Sequence, residues 1–127
     1  MLKLILEQDP QNIFFRCVES SNETIMISDP EGQLVYVNPA WSKIYGFTRE
    51  EAQGKTPRIL HSGHHPREFY QGMWKDIADP HIGFWKGEIV NRAKDGRLVP
   101  VLLSITPFRS PEGAVVGLMG VALDITA

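Results

Sequence analysis

The sequence of 127 residues contains a single cysteine, Cys17. A lone thiol forms no internal disulfide and cannot complete a thiolate metal site. Cys17 is expected to pack as a small apolar side chain in the first helix. An excess of one charge is also lacking. Lys+Arg 13 against Asp+Glu 15 gives a net charge of −2, and no Lys/Arg cluster builds the positive footprint that a phosphate backbone requires, which argues against nucleic acid as a partner. No apolar run approaches the roughly 20 residues that span a bilayer. The opening Met1-Leu-Lys-Leu-Ile-Leu is short and soon acidic, at Glu7 and Asp9, unlike a signal peptide. These absences predict a cytoplasmic domain with no direct membrane insertion. Patterns that carry catalysis are missing as well: there is no Gly-x-Ser-x-Gly, no glycine loop that cradles phosphate and no His-Glu-x-x-His, so no enzyme is expected.

What remains is a chain that is 43% hydrophobic, enough for one core and one domain. Leu2, Leu4, Ile5 and Leu6 form a short apolar strip ended near Asp9-Pro10, read as a flanking helix or arm over residues 1–11, with the domain proper over 12–127. Phe14, Phe15 and Val18 predict a helical turn or two. Thr24 to Ser28 and Gln33 to Val37 read as strands joined by Asp29-Pro30-Glu31-Gly32, a turn in which proline pre-sets φ and Gly32 is free to take positive φ. Asn38-Pro39 opens a helix carrying Trp41, Ile44 and Tyr45 inward and stopping at Gly46. Thr48 and Glu51 make a capping-box pattern. Pro66 opens a further helix, ended at Asp79-Pro80, whose Phe69, Met73 and Ile77, with Tyr70 and Trp74, repeat at helical spacing. The last third predicts three strands, about Trp85 to Arg92, Leu98 to Phe108 and Ala114 to Thr126, with short turns that imply antiparallel pairing.

Two strands, several short helices and three strands, together with Trp85-x-Gly87, Asn91-Arg92-x-Lys94-Asp95-Gly96, Asn38-Pro39-Ala40-Trp41 and a terminal Asp124-Ile125-Thr126, resemble a PAS domain of the bacterial S-box type over about residues 12–126. The resemblance implies an α+β fold: a five-stranded antiparallel sheet with short helices packed on one face and an N-terminal flanking helix. It implies a sensory input module of a larger bacterial regulator, which senses a small ligand or redox state and passes a population shift to a downstream effector through dimeric flanking helices. The effector would be a histidine kinase, a diguanylate cyclase or a chemoreceptor. The alternative is a ligand-free PAS module for dimerisation or protein interaction. A chain stopping one residue past Asp-Ile-Thr looks like a piece of a longer protein.

Alternation along the last three strands places Trp85, Gly87, Ile89 and Asn91 on one face with Val99, Val101, Leu103, Ile105, Leu118, Gly120, Ala122 and Asp124. Comparison with flavin-binding relatives makes this the pocket face. The opposite face is apolar too, through Leu102, Phe108, Val115, Met119, Val121, Leu123 and Ile125, and is expected to be covered by the Leu2-Ile5-Leu6 helix or a second protomer. The segment Gly54-Lys-Thr-Pro-Arg-Ile-Leu-His61 aligns with the light-oxygen-voltage (LOV) signature, with Pro57 at the position of the photoactive cysteine and Val101 and Ala122 where LOV domains carry amides. LOV photochemistry is thereby excluded, and only Arg58, a phosphate partner in that family, and Asn91, a ring contact, match. The FAD-binding PAS domains of aerotaxis receptors and nitrogen-fixation regulators are more similar. From that likeness the cofactor-binding candidates are Trp85, Asn91, Arg58 and Asn38, with FAD ahead of haem if any cofactor is held. His65, near Pro66, is the haem candidate, although His61, His64 and His65 fall on a loop. The family also implies an ion pair between Glu51 and Lys94 across the pocket mouth, and an exit toward a signalling helix at Asp124.

Overall fold

The computed structural model describes residues 10–126. The expected arm of Leu2, Ile5 and Leu6 lies outside the described residues. Five strands, β1 (Thr24–Ser28), β2 (Leu34–Val37), β3 (Trp85–Arg92), β4 (Leu98–Arg109) and β5 (Val115–Asp124), form one antiparallel sheet in the order β2-β1-β5-β4-β3. Among the described residues four α-helices accompany it: α1 (Pro10–Ser20), α2 (Pro39–Tyr45), α3 (Arg49–Ala52) and α4 (Arg67–Ala78), with a 3-10 turn at Pro57–Leu60. This is the α+β architecture that the pattern of the sequence predicts.

The boundaries follow local chemistry. In the β1–β2 hairpin, Asp29 Oδ1 accepts from the amides of Glu31 and Gln33, and Gly32 takes a φ of 91°. Asn38 caps α2 by accepting from Trp41 N, Pro39 fills the first turn, and Gly46 ends the helix in the left-handed region at φ 83°. The capping box of Thr48 and Glu51 is complete in both directions. Strand β5 ends at Asp124, two residues before the expected Thr126; Ile125 N still donates to Pro100 O of β4 at 3.0 Å, and Asp124 Oδ1 then accepts from Thr126 N at 2.9 Å.

The core lies between the sheet and helices α2 to α4. Alternate residues of β4, namely Val99, Val101, Leu103 and Ile105, are buried, and Trp41, Tyr45, Leu60, Met73 and Ile77 descend on them. Trp41 meets Tyr45 edge-to-face at 5.3 Å, a favourable geometry for aromatic pairs.

Helix α1 is longer than the expected turn or two. Its end is tied down at a distance in sequence: Tyr36 Oη donates to Glu19 Oε2 at 2.6 Å, and Arg49 Nη2 donates to both Glu19 oxygens at 3.0 and 3.1 Å. The Tyr36 hydrogen bond and the Arg49 guanidinium hold the Glu19 carboxyl below its ordinary pKa. The expectation for Cys17 is corrected, since the thiol is exposed. The helix turns Val18 and Glu19 toward the domain and leaves Cys17 on its open side.

Candidate functional site

The concave face of the sheet and the helices enclose a cavity. Its walls are Met26 and Ser28 of β1, Ile89 and Asn91 of β3, Leu103 and Ile105 of β4, and Leu118 and Gly120 of β5. Leu34, Pro57, Leu60, His61, Tyr70, Met73 and Trp74 close it from the other sides. It leaves about 70 Å³ to the centres of water-sized molecules, within a hollow of about 640 Å³ that continues to solvent. Among the described residues no Lys, Arg, Asp or Glu belongs to the wall. A mostly apolar concavity with a few polar groups is the usual form of a small-molecule site.

Of the four candidate site residues, Asn91 lies in this wall. It is 5% exposed, and its Nδ2 donates to Tyr45 Oη at 3.1 Å, so a residue on the sheet is joined to helix α2 through the core. Trp85 is not in the wall. Its indole lies across Gly87, where a Cβ would stand 2.9 Å from Trp85 Cζ2, and meets Phe69 edge-on at 5.7 Å. The Trp85-x-Gly87 pattern thus has a packing reason: glycine leaves room for the ring. Arg58 is exposed on the 3-10 turn whose Pro57 and Leu60 do line the cavity. Asn38 is fully buried away from it. Its Oδ1 accepts from Ile25 N and Trp41 N at 3.0 Å each, while its Nδ2 donates to Val18 O at 3.1 Å and Glu23 O at 3.0 Å. All four bonds that such an amide commonly makes are spent on the fold.

The strand faces refine the expected pocket. Ile89, Asn91, Leu103, Ile105, Leu118 and Gly120 line it, whereas Val99, Val101 and Ala122 are buried in the core without reaching it. Asp124 is exposed and holds Thr126. Sequence patterning missed Ser28, and it placed Tyr70 only as an inward helix residue. Ser28 reaches the cavity because β1 pairs with β5, placing Ser28 opposite Leu118.

The expected Glu51–Lys94 ion pair forms at 2.5 Å, although neither residue lines the cavity. Lys94 and the Thr48 backbone hold the Glu51 carboxyl below its ordinary pKa. Both side chains are exposed, and such pairs stabilise little. The turn is fixed mainly by backbone, with Lys94 N donating to Tyr45 O at 2.8 Å.

The histidine loop covers the open edge of the sheet at β3. His61 forms a single bridge to Asn91, Ser62 Oγ donates to Val90 O at 2.7 Å, and Val90 N donates to His65 Nε2 at 2.9 Å. Accepting that bond requires an unprotonated Nε2 and occupies the nitrogen that would otherwise be free for iron. His65 also stacks on Phe69 at 4.1 Å, with His64 edge-on at 4.9 Å.

Burial lowers the pKa of His65 from its ordinary 6.5, helped by His64, and lowers that of His61, helped by Arg58 and His65. In acid the unfolded chain therefore binds these protons first. The stability that the neutral rings contribute is present above pH 6.5 and is lost as the pH falls through that value and the lower folded-state values. Hydrogen exchange at the Val90 amide, corrected for intrinsic rate, is expected to accelerate on acidification, while Val101 in the sheet interior stays protected. A pH-independent corrected rate at Val90 would show that His65 does not hold this edge.

Among the described residues no group of three His, Cys, Asp or Glu side chains is placed to hold a metal, and no helix is long and apolar enough to cross a membrane.

Comparison with known proteins places this geometry. A PAS domain model matches residues 22–127. The chain is 32% identical over 121 residues to the nitrogen fixation regulatory protein of Klebsiella pneumoniae, covering 95% of the chain and 24% of that protein. It is 27% identical over 124 residues to blue-light-activated histidine kinase 1 of Erythrobacter litoralis (strain HTCC2594), covering 95% and 34%. It thus spans about a quarter to a third of these relatives. The crystal structure of the PAS domain of a protein from Colwellia psychrerythraea shares the fold, with a TM-score of 0.84 and 23% identity over 93% of this chain and 98% of that one. A cavity walled by the inner sheet face, the five-strand order and a family match from Asn22 to the last residue agree: the chain belongs to the PAS domain family of sensory signalling modules.

Proposed function

We propose that this domain is the ligand-sensing input of a larger bacterial regulator. The observation that carries the reading is the cavity itself, apolar on most sides, with Asn91 in its wall bonded to Tyr45 of α2. A ligand that competes for the Asn91 amide alters this side-chain bond between β3 and α2, and the backbone bond from Lys94 to Tyr45 carries that change to the β3–β4 turn. Since regulators and histidine kinases are among the relatives, a downstream effector is the natural recipient.

FAD is the leading ligand by family likeness. The wall fits a flat ring with a polar edge: Met26, Leu60, Met73, Ile89, Leu103 and Leu118 supply apolar surface, and Ser28, His61, Tyr70 and Asn91 supply polar atoms. When bound, a flavin supplies redox chemistry that changes the protonation of its ring edge. In this reading Asn91 meets that edge, the apolar side chains exclude water, and exposed Arg58 stands outside the cavity wall beside the 3-10 turn as a candidate for the phosphates. Trp85 serves the fold through Phe69 and Gly87, and His65 is engaged by Val90, which disfavours the haem alternative.

The visible spectrum of the purified chain tests this. The expected result is the two-banded absorption of an oxidised flavin, with Asn91→Ala lowering flavin retention about tenfold, the worth of one hydrogen bond near 1.4 kcal/mol. A Soret band would transfer the site to haem. A colourless chain that gains no colour on incubation with FAD would remove the flavin.

A second reading rests on the outer sheet face. Phe108, Met119, Leu123 and Ile125 are exposed there, with Leu123 at 49%. Such a surface fits a protein partner, and in the signalling reading a homodimer through this face and the N-terminal helix provides the relay. A strictly monomeric sedimentation profile at high concentration would count against the homodimer.

A further inference from the structure

We infer that Tyr70 is the hydrogen-bond donor that selects the ligand, and that the buried part of the ligand is an uncharged group bearing a carbonyl or ring-nitrogen acceptor. The inference rests on the cavity being a ligand site and is independent of whether the ligand is a flavin.

Two buried side-chain polar atoms have no hydrogen-bond partner among the described residues: Trp41 Nε1 and Tyr70 Oη. Trp41 sits in the core and does not reach the cavity, whereas Tyr70 is part of its wall. The Tyr70 ring is held on its other sides by His61, stacked at 4.1 Å, and by Phe69 and His65, both edge-on. The cavity that Tyr70 lines offers a side from which an acceptor can approach. Burial raises the Tyr70 pKa, so the phenol keeps its proton and acts as a donor.

Two other donors in the wall each already make one bond within the fold. Ser28 Oγ donates its hydrogen to Asp29 O at 3.0 Å, and Asn91 Nδ2 donates to Tyr45 Oη. With no charged side chain among the described residues of the wall, an ionised ligand group would be buried without a counter-charge from them, which is strongly unfavourable. A neutral acceptor meets neither obstacle. A site built around an otherwise unpaired donor rejects ligands that lack the acceptor, because they leave that donor unsatisfied.

Three probes of similar size test this: acetophenone, ethylbenzene and benzoate, followed through the methyl resonances of Met26 and Met73, which line the cavity. The intact chain is expected to bind acetophenone about tenfold more tightly than ethylbenzene and to disfavour benzoate. In Tyr70→Phe the ratio of acetophenone to ethylbenzene should fall to about one. Without ligand, Tyr70→Phe should melt at or above the temperature of the parent chain, since it deletes a donor that has no partner. A preference that survives in Tyr70→Phe, no preference in the parent, tightest binding of benzoate, no binding of any probe, or a lowered melting temperature of the free variant would each overturn the inference. If the chain is isolated holding FAD, faster loss of FAD from Tyr70→Phe on dialysis is expected, and equal retention overturns it. A colourless chain that still discriminates the probes removes the flavin and leaves Tyr70 standing.

Discussion

Asn38→Ala is expected to cost about 3–5 kcal/mol of folding stability, a large part of the roughly 5–15 kcal/mol available to a domain. A typical hydrogen bond contributes about 0.5–1.5 kcal/mol net, and buried groups left without partners lose more. Asn38 makes four such bonds at complete burial, to Ile25 N, Trp41 N, Val18 O and Glu23 O. Alanine leaves two amides and two carbonyls without these partners, uncaps α2 and frees the end of α1 together. Urea unfolding of the two chains gives the difference, and a loss below about 1 kcal/mol would mean that these bonds are not formed. Asn38→Asp separates the roles. It keeps the acceptor for Ile25 and Trp41 but sets a carboxylate against the carbonyls of Val18 and Glu23, so α2 should stay capped while α1 loosens.

The second large effect is expected at Gly117, where a Cβ would lie 2.6 Å from Ser28 O and 2.4 Å from Phe108 Cζ. Phe108 can swing away, but Ser28 O belongs to the backbone of the neighbouring strand. Gly117→Ala must therefore push β1 from β5, at a cost of about 2–3 kcal/mol by comparison with other overpacked sites. Gly120→Ala is the control. The nearest atom there, at 2.8 Å, is the end of the flexible Met26 side chain, and the reduced freedom of the unfolded chain offsets part of the crowding. Its change should remain within about 1 kcal/mol. Equal melting temperatures for the two variants would show that the strands are looser than the contact at Ser28 implies.

Much of the fold was legible because its signals are local. Alternation and turn residues place β1 at Thr24–Ser28 and β3 at Trp85–Arg92 as expected, and Asn38, Gly46 and Thr48 mark helix ends through bonds within a few residues. The site was less legible because its assignments depend on what approaches from afar. Asn38 has the look of a helix cap, and nothing near it in sequence announces that its Nδ2 will be taken by Val18 and Glu23. Trp85 alternates with pocket residues, yet its ring folds over Gly87 toward Phe69 and leaves the cavity. Helical spacing turns Tyr70 inward without showing that its oxygen will be buried unpartnered. Motif likeness placed Asn91 on the pocket face, and it lies in the cavity wall, with the β3–β4 register holding it opposite buried Val99.

The strand order carries a consequence for synthesis. The last strand to be made, β5, is the one that sits between β1 and β4, and Thr24 bonds to Ala122 across 98 positions of sequence. Until β5 has left the ribosome, the emerging chain holds two separate hairpins, β1–β2 and β3–β4, with no ladder between them. Such long-range closure is slow, and each hairpin meanwhile shows an unpaired edge. The sheet is thus completed in one late step, and any effector that follows β5 in a longer protein is joined to the strand that completes it.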